Sequence, residues 1–410
     1  MQEQSSKDLR WALGLNKWGA KLLGVWPIEA ANHSIESKEP WHVYLRVPFI
    51  ITLLLFWICL PQTWALVLDI NNFSVVVNNL MSNAAAFSGS IKLFFLWHNK
   101  KVMQPVVQSA RNDWLRAKSF WERELMLQHA SGIRLVTAFD YTLTTLTVFG
   151  FVVFPLLNID IRLKSNITDY ADRHLLVQSY YPFDYSKTPY FELTMGLQYL
   201  GAFFTALATT VPESYFGALV MHTSGQFEIL SLGFERCFDE PGPTNDEPRL
   251  PRLVQRHVHL VAIARTLEIS FTYVILAQIF GTSIILCSYG FQFLAIIGAS
   301  DQQVPVLQVI TVLCVMVTLM IQTLLDCVVG ETLATRIVSL CHSIYKCQWY
   351  KVTRNSARDL IPTMIISQNQ KTLTAGKILP LSLKTYCSNR AKKTDFEDYG
   401  WLHLHAGRCQ

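Results

Sequence analysis

Long runs without Asp, Glu, Lys or Arg organise this chain. Val47 to Leu68 is one, at 22 residues, and Asn71 to Ile91 is another, at 21. Tyr141 to Ile159 gives 19 and extends back past Asp140 to Leu135. Leu193 to Val211 gives 19, with apolar character resuming after Glu213. Ile269 to Ser300 gives 32, more than one straight span needs, and Gln302 to Leu325 gives 24. A helix needs about 20 mostly apolar residues to cross a bilayer. One such run could be a buried helix of a soluble protein. Six in one chain predict an all-α polytopic membrane protein.

Composition agrees. Hydrophobic residues make up 51% and charged residues 16% of the chain, where soluble proteins carry about 25% charge. That excludes a disordered chain, a coiled coil and a collagen-like fibre. The net charge of +5 is too small to indicate a nucleic-acid partner. The first 40 residues hold Lys7, Arg10, Lys17, Lys21 and Lys38 but no apolar core, so no signal peptide is expected and the first span is read as the targeting signal.

The placement of charge sets the expected orientation. The N-terminal segment, connections 2–3 and 4–5, and the stretch Arg336 to Lys377 together hold 23 Lys and Arg, against 4 on the opposite side. The basic side faces the cytoplasm. Asn166-Ile167-Thr168 is a glycosylation sequon in connection 3–4, on the side read as external. All nine cysteines lie in spans or on the cytoplasmic side, so no disulfide framework is expected.

No phosphate-binding loop, dinucleotide fingerprint or His-Glu-x-x-His motif is present, and neither cofactor nor metal is expected. His257 and His259, two apart, point to different helix faces and read as solvated residues rather than ligands. His403 and His405 lack supporting ligands. Intramembrane ionisable groups are functional candidates by default. Asp140 and Glu213 read first as partners in interhelical hydrogen bonds and second as part of an ion pathway. Lys92 and Arg134 are placed to snorkel toward the cytoplasm, and Pro212 to kink span 4. Aromatic residues gather toward the outer span ends, with Phe73, Phe149, Phe154, Tyr199 and Phe203 among them. They fit an interfacial aromatic belt and also an outward-facing apolar pocket that holds a small ligand by shape.

The most specific stretch follows span 6. It contains Trp349-Tyr350, then Ser367-Gln368, Thr374-Ala375-Gly376 and Leu381-Ser382-Leu383. These motifs, with the early Trp26-Pro27, resemble the insect odorant receptor family over nearly the whole chain up to about Tyr386. The resemblance implies a seven-helix subunit of a ligand-gated, non-selective cation channel with a cytoplasmic N-terminus. It implies a tuning subunit in a tetramer with a shared co-receptor, in the plasma membrane of olfactory sensory neurons, gated by a small volatile ligand. The implied organisation is a cytoplasmic segment at 1–42, six membrane helices with an outer pocket at 43–330, a cytoplasmic anchor and the start of helix 7 at 331–386, and a polar tail at 387–410. Trp349, Tyr350, Ser367, Gln368, Thr374, Ala375 and Gly376 belong to the anchor and its signature.

The tail departs from that family. Residues 387–410 hold seven charges, each costing about 2.5 kcal/mol or more at a helix centre. The final pore-lining half of helix 7 is therefore expected to be absent or altered. Three other classes fit less well. A G-protein-coupled receptor needs an external N-terminus, and a transporter would show internal repeats. A gustatory receptor would continue Thr385-Tyr386 with an apolar run.

Overall fold

The computed structural model describes residues 2–27, 41–116, 118–156, 175–237, 249–298, 306–347, 349–351, 354–368 and 373–387. Its elements are α1 (Gln2–Leu23), α2 (Trp41–Thr52), a π-helical segment (Leu53–Cys59), α3 (Leu60–Leu68), α4 (Phe73–His98) and α5 (Lys100–Leu115). Then follow α6 (Phe120–Leu156), α7 (Tyr190–Glu235), α8 (Arg249–Gly298), α9 (Val306–Lys346), a 3-10 turn (Trp349–Lys351) and α10 (Arg354–Gln368). A two-stranded hairpin, β1 (Thr374–Ala375) and β2 (Leu379–Pro380), precedes α11 (Leu383–Cys387).

Each apolar run forms a helix, but the helices outlast the runs. Residues 269–298 of the 32-residue run form the second part of one 50-residue helix, α8. A charge-free stretch marks the membrane portion, and helix propensity carries the element on into the polar phase. By length and composition alone, Val43–Leu68, Leu250–Gly298 and Val312–Lys346 suffice to cross a membrane. The described parts of the other three runs fall mostly in α4, α6 and α7.

Helix α7 is the centre of the bundle, packing against α1, α4, α6, α8 and α9. Its middle, from Thr210 to Val220, is buried on nearly every face, as expected of a helix that is apolar all round. It runs unbroken through Pro212. Tyr215 and Phe216 both pack on Phe271 of α8, at 5.8 and 5.2 Å between ring centroids. Helix α4 lies against α8 through small residues: a Cβ on Gly281 would come within 2.8 Å of Ser88 Cβ. Such close backbone approach is how helices pack where lipid supplies no hydrophobic drive.

Candidate functional site

Three layers of the bundle carry the chemistry. The first is a strap, Leu175 to Pro189, tied to the π-helical segment, α3, α4 and α7. The π-helical segment before α3 widens the helix, so that Leu60 N–H donates to Leu55 O, five residues back. Pro61 brings no N–H to the preceding turn. The Trp57 carbonyl, four residues earlier, accepts the Tyr181 hydroxyl at 3.0 Å, and the Pro61 carbonyl accepts Tyr180 N–H at 3.0 Å. Gln178 donates to Asp69 at 2.5 Å, while Asn79 donates to the Gln62 and Gln178 carbonyls. Gln198 of α7 donates to the Val177 carbonyl and to the Ser179 and Tyr181 hydroxyls. Tyr181 and Phe183 of the strap meet Trp57 in tilted ring contacts, with Trp57 and Tyr181 centroids 5.3 Å apart.

The aromatic residues expected to line a pocket are spread over α4, α6 and α7. Phe73 meets Phe291 edge to face at 4.5 Å, and Phe203 meets Phe204 at 5.5 Å. Tyr199 is half-buried, next to Gln198. Phe149 is 63% exposed. Phe154 falls in α6, but its side chain lies outside the described residues, as does Asn166. The ring contacts of Phe73 and Phe203 go to Phe291 and Phe204 rather than to the other expected residues. Phe291 escaped the sequence reading because it lies inside the long run of α8, with no boundary to mark it.

The next layer is a charge cluster between α4, α6, α7 and α9. Lys92 of α4 is fully buried. Its Nζ lies 2.6 Å from Glu213 Oε1 and 3.2 Å from the Thr209 carbonyl of α7. The expectation that Lys92 snorkels is therefore wrong. Its side chain points into the α4–α7 seam, and a lysine turned inward gains more from a carboxylate than from reaching water. The other Glu213 oxygen accepts Gln322 Nε2 of α9. Asp140 of α6 and Asp326 of α9 lie within electrostatic reach of the pair. Four helices thus meet on one buried ion pair. Glu213 is an interhelical partner, as its first reading holds. Asp326 and Gln322 were missed because Asp326 ends a charge-free run and looks like a membrane boundary, whereas α9 continues through it.

Arg134, also expected to snorkel, donates to the Trp11 carbonyl, and its guanidinium stands 5.1 Å from the Trp11 ring. Asp113 of α5 accepts Arg256 of α8 at 2.6 Å and pairs with His222 of α7 at 3.3 Å. Burial raises its pKa, but these two partners outweigh burial and hold it below the ordinary carboxylate value. Glu228 of α7 binds both His129 of α6 and Arg336 of α9.

The innermost layer is the signature segment. Ser367 and His257 are both fully buried, with Oγ and Nε2 3.1 Å apart. The reading of His257 as solvated is overturned: α10 covers that face of α8, a contact that sequence spacing within α8 does not reveal. The strands pair Thr374 with Pro380 and Ala375 with Leu379. The hairpin docks on α8 because Gly376 N–H donates to the Thr272 carbonyl at 2.9 Å. Gly376 has φ +62°, and a Cβ there would meet Leu276 Cδ2 at 2.7 Å. Both facts favour glycine. Thr374 donates to Glu268, and Leu381 lies against Gly330 of α9. Trp349 and Tyr350 remain 47% and 69% exposed, and Gln368 is exposed.

The sequence model of the family described as "7tm Odorant receptor" matches residues 72–389. Odorant receptor 13a of Drosophila melanogaster is 20% identical over 394 residues, covering 89% of both chains. Odorant receptor 2a of the same species is 23% identical over 52% of this chain and 56% of its own. The fold matches the solved olfactory receptor OR5 of Machilis hrabei, determined with and without eugenol, with a TM-score of 0.69 over 97% of this chain and 96% of that one. Identity to that structure is 13% with eugenol and 14% without, so the likeness carries the fold. These relatives are receptors, not enzymes. The family match includes strap residues 175–189, the charge cluster and the signature hairpin, and the chain belongs to the insect odorant receptor family, as an all-α, multi-pass membrane receptor of olfaction.

Proposed function

We propose that this chain is the ligand-tuning subunit of an odorant-gated, non-selective cation channel assembled with a shared co-receptor. The observation that supports this most is the unbroken family match from residue 72 to 389. The N-terminus faces the cytosol and Asn166 faces outward, in keeping with the 23-to-4 division of basic residues. The receptor works in the plasma membrane of olfactory sensory neurons. An N-terminal epitope that stains intact, unpermeabilised cells would refute this orientation.

The ligand is a small, mostly uncharged volatile, held in the outer half of the bundle near Phe73, Phe149, Phe154, Tyr199 and Phe203. The Machilis hrabei receptor was solved with eugenol, a molecule of that class. Residues 331–386 form the cytoplasmic anchor through which subunits meet. The deciding experiment is a recording of odorant-evoked current from a ligand panel, with and without the co-receptor. Tyr199→Ala should move ligand potency at unchanged surface expression. Unaltered responses to every active ligand would remove Tyr199 from the pocket.

A further inference from the structure

Helix α1 has two unlike faces. Asp8, Ala12, Leu13, Asn16, Ala20 and Leu23 are buried against the bundle, where α1 packs on α5, α6 and α7. Lys7, Arg10, Trp11, Trp18 and Lys21 are exposed. Positions 7, 11, 14, 18 and 21 follow the alternating three- and four-residue steps of one helix stripe. Trp11 is 39% accessible, with the Arg134 guanidinium over its ring, and Trp18 is 59% accessible.

Contacts fix the depth of this face. Asp8 meets Arg123 near the cytoplasmic start of α6, and Trp11 meets Arg134, next to Leu135 where the apolar run of span 3 begins. At the other end, Arg46 donates to the Lys21 carbonyl at 2.9 Å, directly before the run that begins at Val47. The stretch from Trp11 to Lys21 therefore lies along the inner boundary of the bilayer. The charge there is one-sided. Residues 10–21 contain Arg10, Lys17 and Lys21 and no acidic residue. Asp8, the nearest carboxylate, is turned inward to Arg123.

We propose that the outer face of α1, from Arg10 to Lys21, is a binding surface for anionic phospholipid of the inner leaflet. Trp11 and Trp18 sit at headgroup level, where amphipathic rings are favoured. Arg10 and Lys21 meet the lipid phosphate and carboxylate charge that the cytoplasmic leaflet carries. The lipid identity is set by charge, and the depth by the two tryptophans. This inference rests on the cytosolic N-terminus proposed above.

The test uses the full-length protein in nanodiscs, where both leaflets have the same composition, so its outcome is independent of the orientation reading. The epitope experiment tests that reading separately. A photoreactive benzoylphenylalanine replaces Gly14, which is half-exposed and would carry a side chain into open space, with no neighbouring atom within 4 Å of its Cβ. The discs contain phosphatidylcholine with a minor share of labelled phosphatidylserine. The expected result is crosslinked phosphatidylserine in excess of its share of the bilayer, up to roughly fivefold, as one basic group at a membrane surface contributes. High salt should erase the excess without any mutation, and Arg10→Gln with Lys21→Gln should erase it at low salt. Adducts that follow bulk lipid composition, or no lipid adduct at all, overturn the proposal. So does an excess that survives both salt and the double substitution.

Discussion

Lys92 on α4 and Glu213 on α7 form a buried ion pair at 2.6 Å, in a seam that also admits Gln322 of α9. Removing one member leaves the other charged and unpaired, which costs about 3–5 kcal/mol in buried pairs. Lys92→Met should therefore sharply reduce surface expression and lower the thermal midpoint of purified protein. Lys92→Met with Glu213→Leu removes both charges and should recover most of the loss. A double variant as damaged as the single ones would show that the ion pair is not the source of the defect.

Gly376 joins the two strands of the hairpin with a positive φ and no room for a side chain. Gly376→Ala should destabilise the protein by about 1–2 kcal/mol, from left-handed backbone and crowding against Leu276. The drop in thermal midpoint should shrink when Leu276→Ala is added, because the crowding is relieved. Independent, additive effects would place the cost in the backbone alone.

Asp8 of α1 accepts two hydrogen bonds from Arg123, at 2.7 and 3.1 Å. Those bonds, helped by a third from Gln4, hold its pKa below the ordinary value against the opposing effect of burial. A carboxylate depressed in the folded state adds stability above its unfolded pKa, near 4, and that stability is lost as pH falls through the lower folded value. Asp8→Asn should cost about 1 kcal/mol at neutral pH, a modest figure because Arg123 is partly exposed. The gap between variant and parent should close on acidification below pH 4. A gap constant with pH would assign the effect to packing.

On the proposed channel reading, the charged segment after Tyr386 bears on conduction. No apolar run follows it, and residues 387–410 carry seven charges. The 410-residue chain should reach the membrane yet give little or no odorant-evoked current, even with the co-receptor. Replacing the tail with an apolar helix of about 20 residues should restore current. Robust current from the 410-residue chain at normal surface levels would show that this tail is compatible with a pore.

The membrane portion of this fold is legible in the sequence because lipid imposes a simple rule, a run of apolar residues of fixed length. What lies beyond the membrane is less so. Helix α5 has no apolar run to announce it, and the extensions of α7, α8 and α9 carry mixed charges that read equally well as loops. The signature motif is visible, but not its shape: the pairing of Thr374 with Pro380 depends on a glycine turn seated against α8. Single residues mislead where a partner helix changes their surroundings. Lys92 and His257 both read as reaching water, and both are fully buried because α7 and α10 cover them. Asp326 reads as the end of a span when it lies mid-helix.

Helix α9 runs without interruption from Val306 to Lys346, roughly 60 Å at 1.5 Å per residue. Gln322, Gly330 and Arg336 are stations along it, touching Glu213, Leu381 and Glu228 in turn. An unbroken helix resists twisting far more than a jointed one. A rotation imposed at Gln322 would reach the seat of Leu381 about 12 Å further on almost undiminished, and the grip of Arg336 on Glu228 after it. The element joins the charge cluster to the seat of the signature hairpin through one continuous backbone.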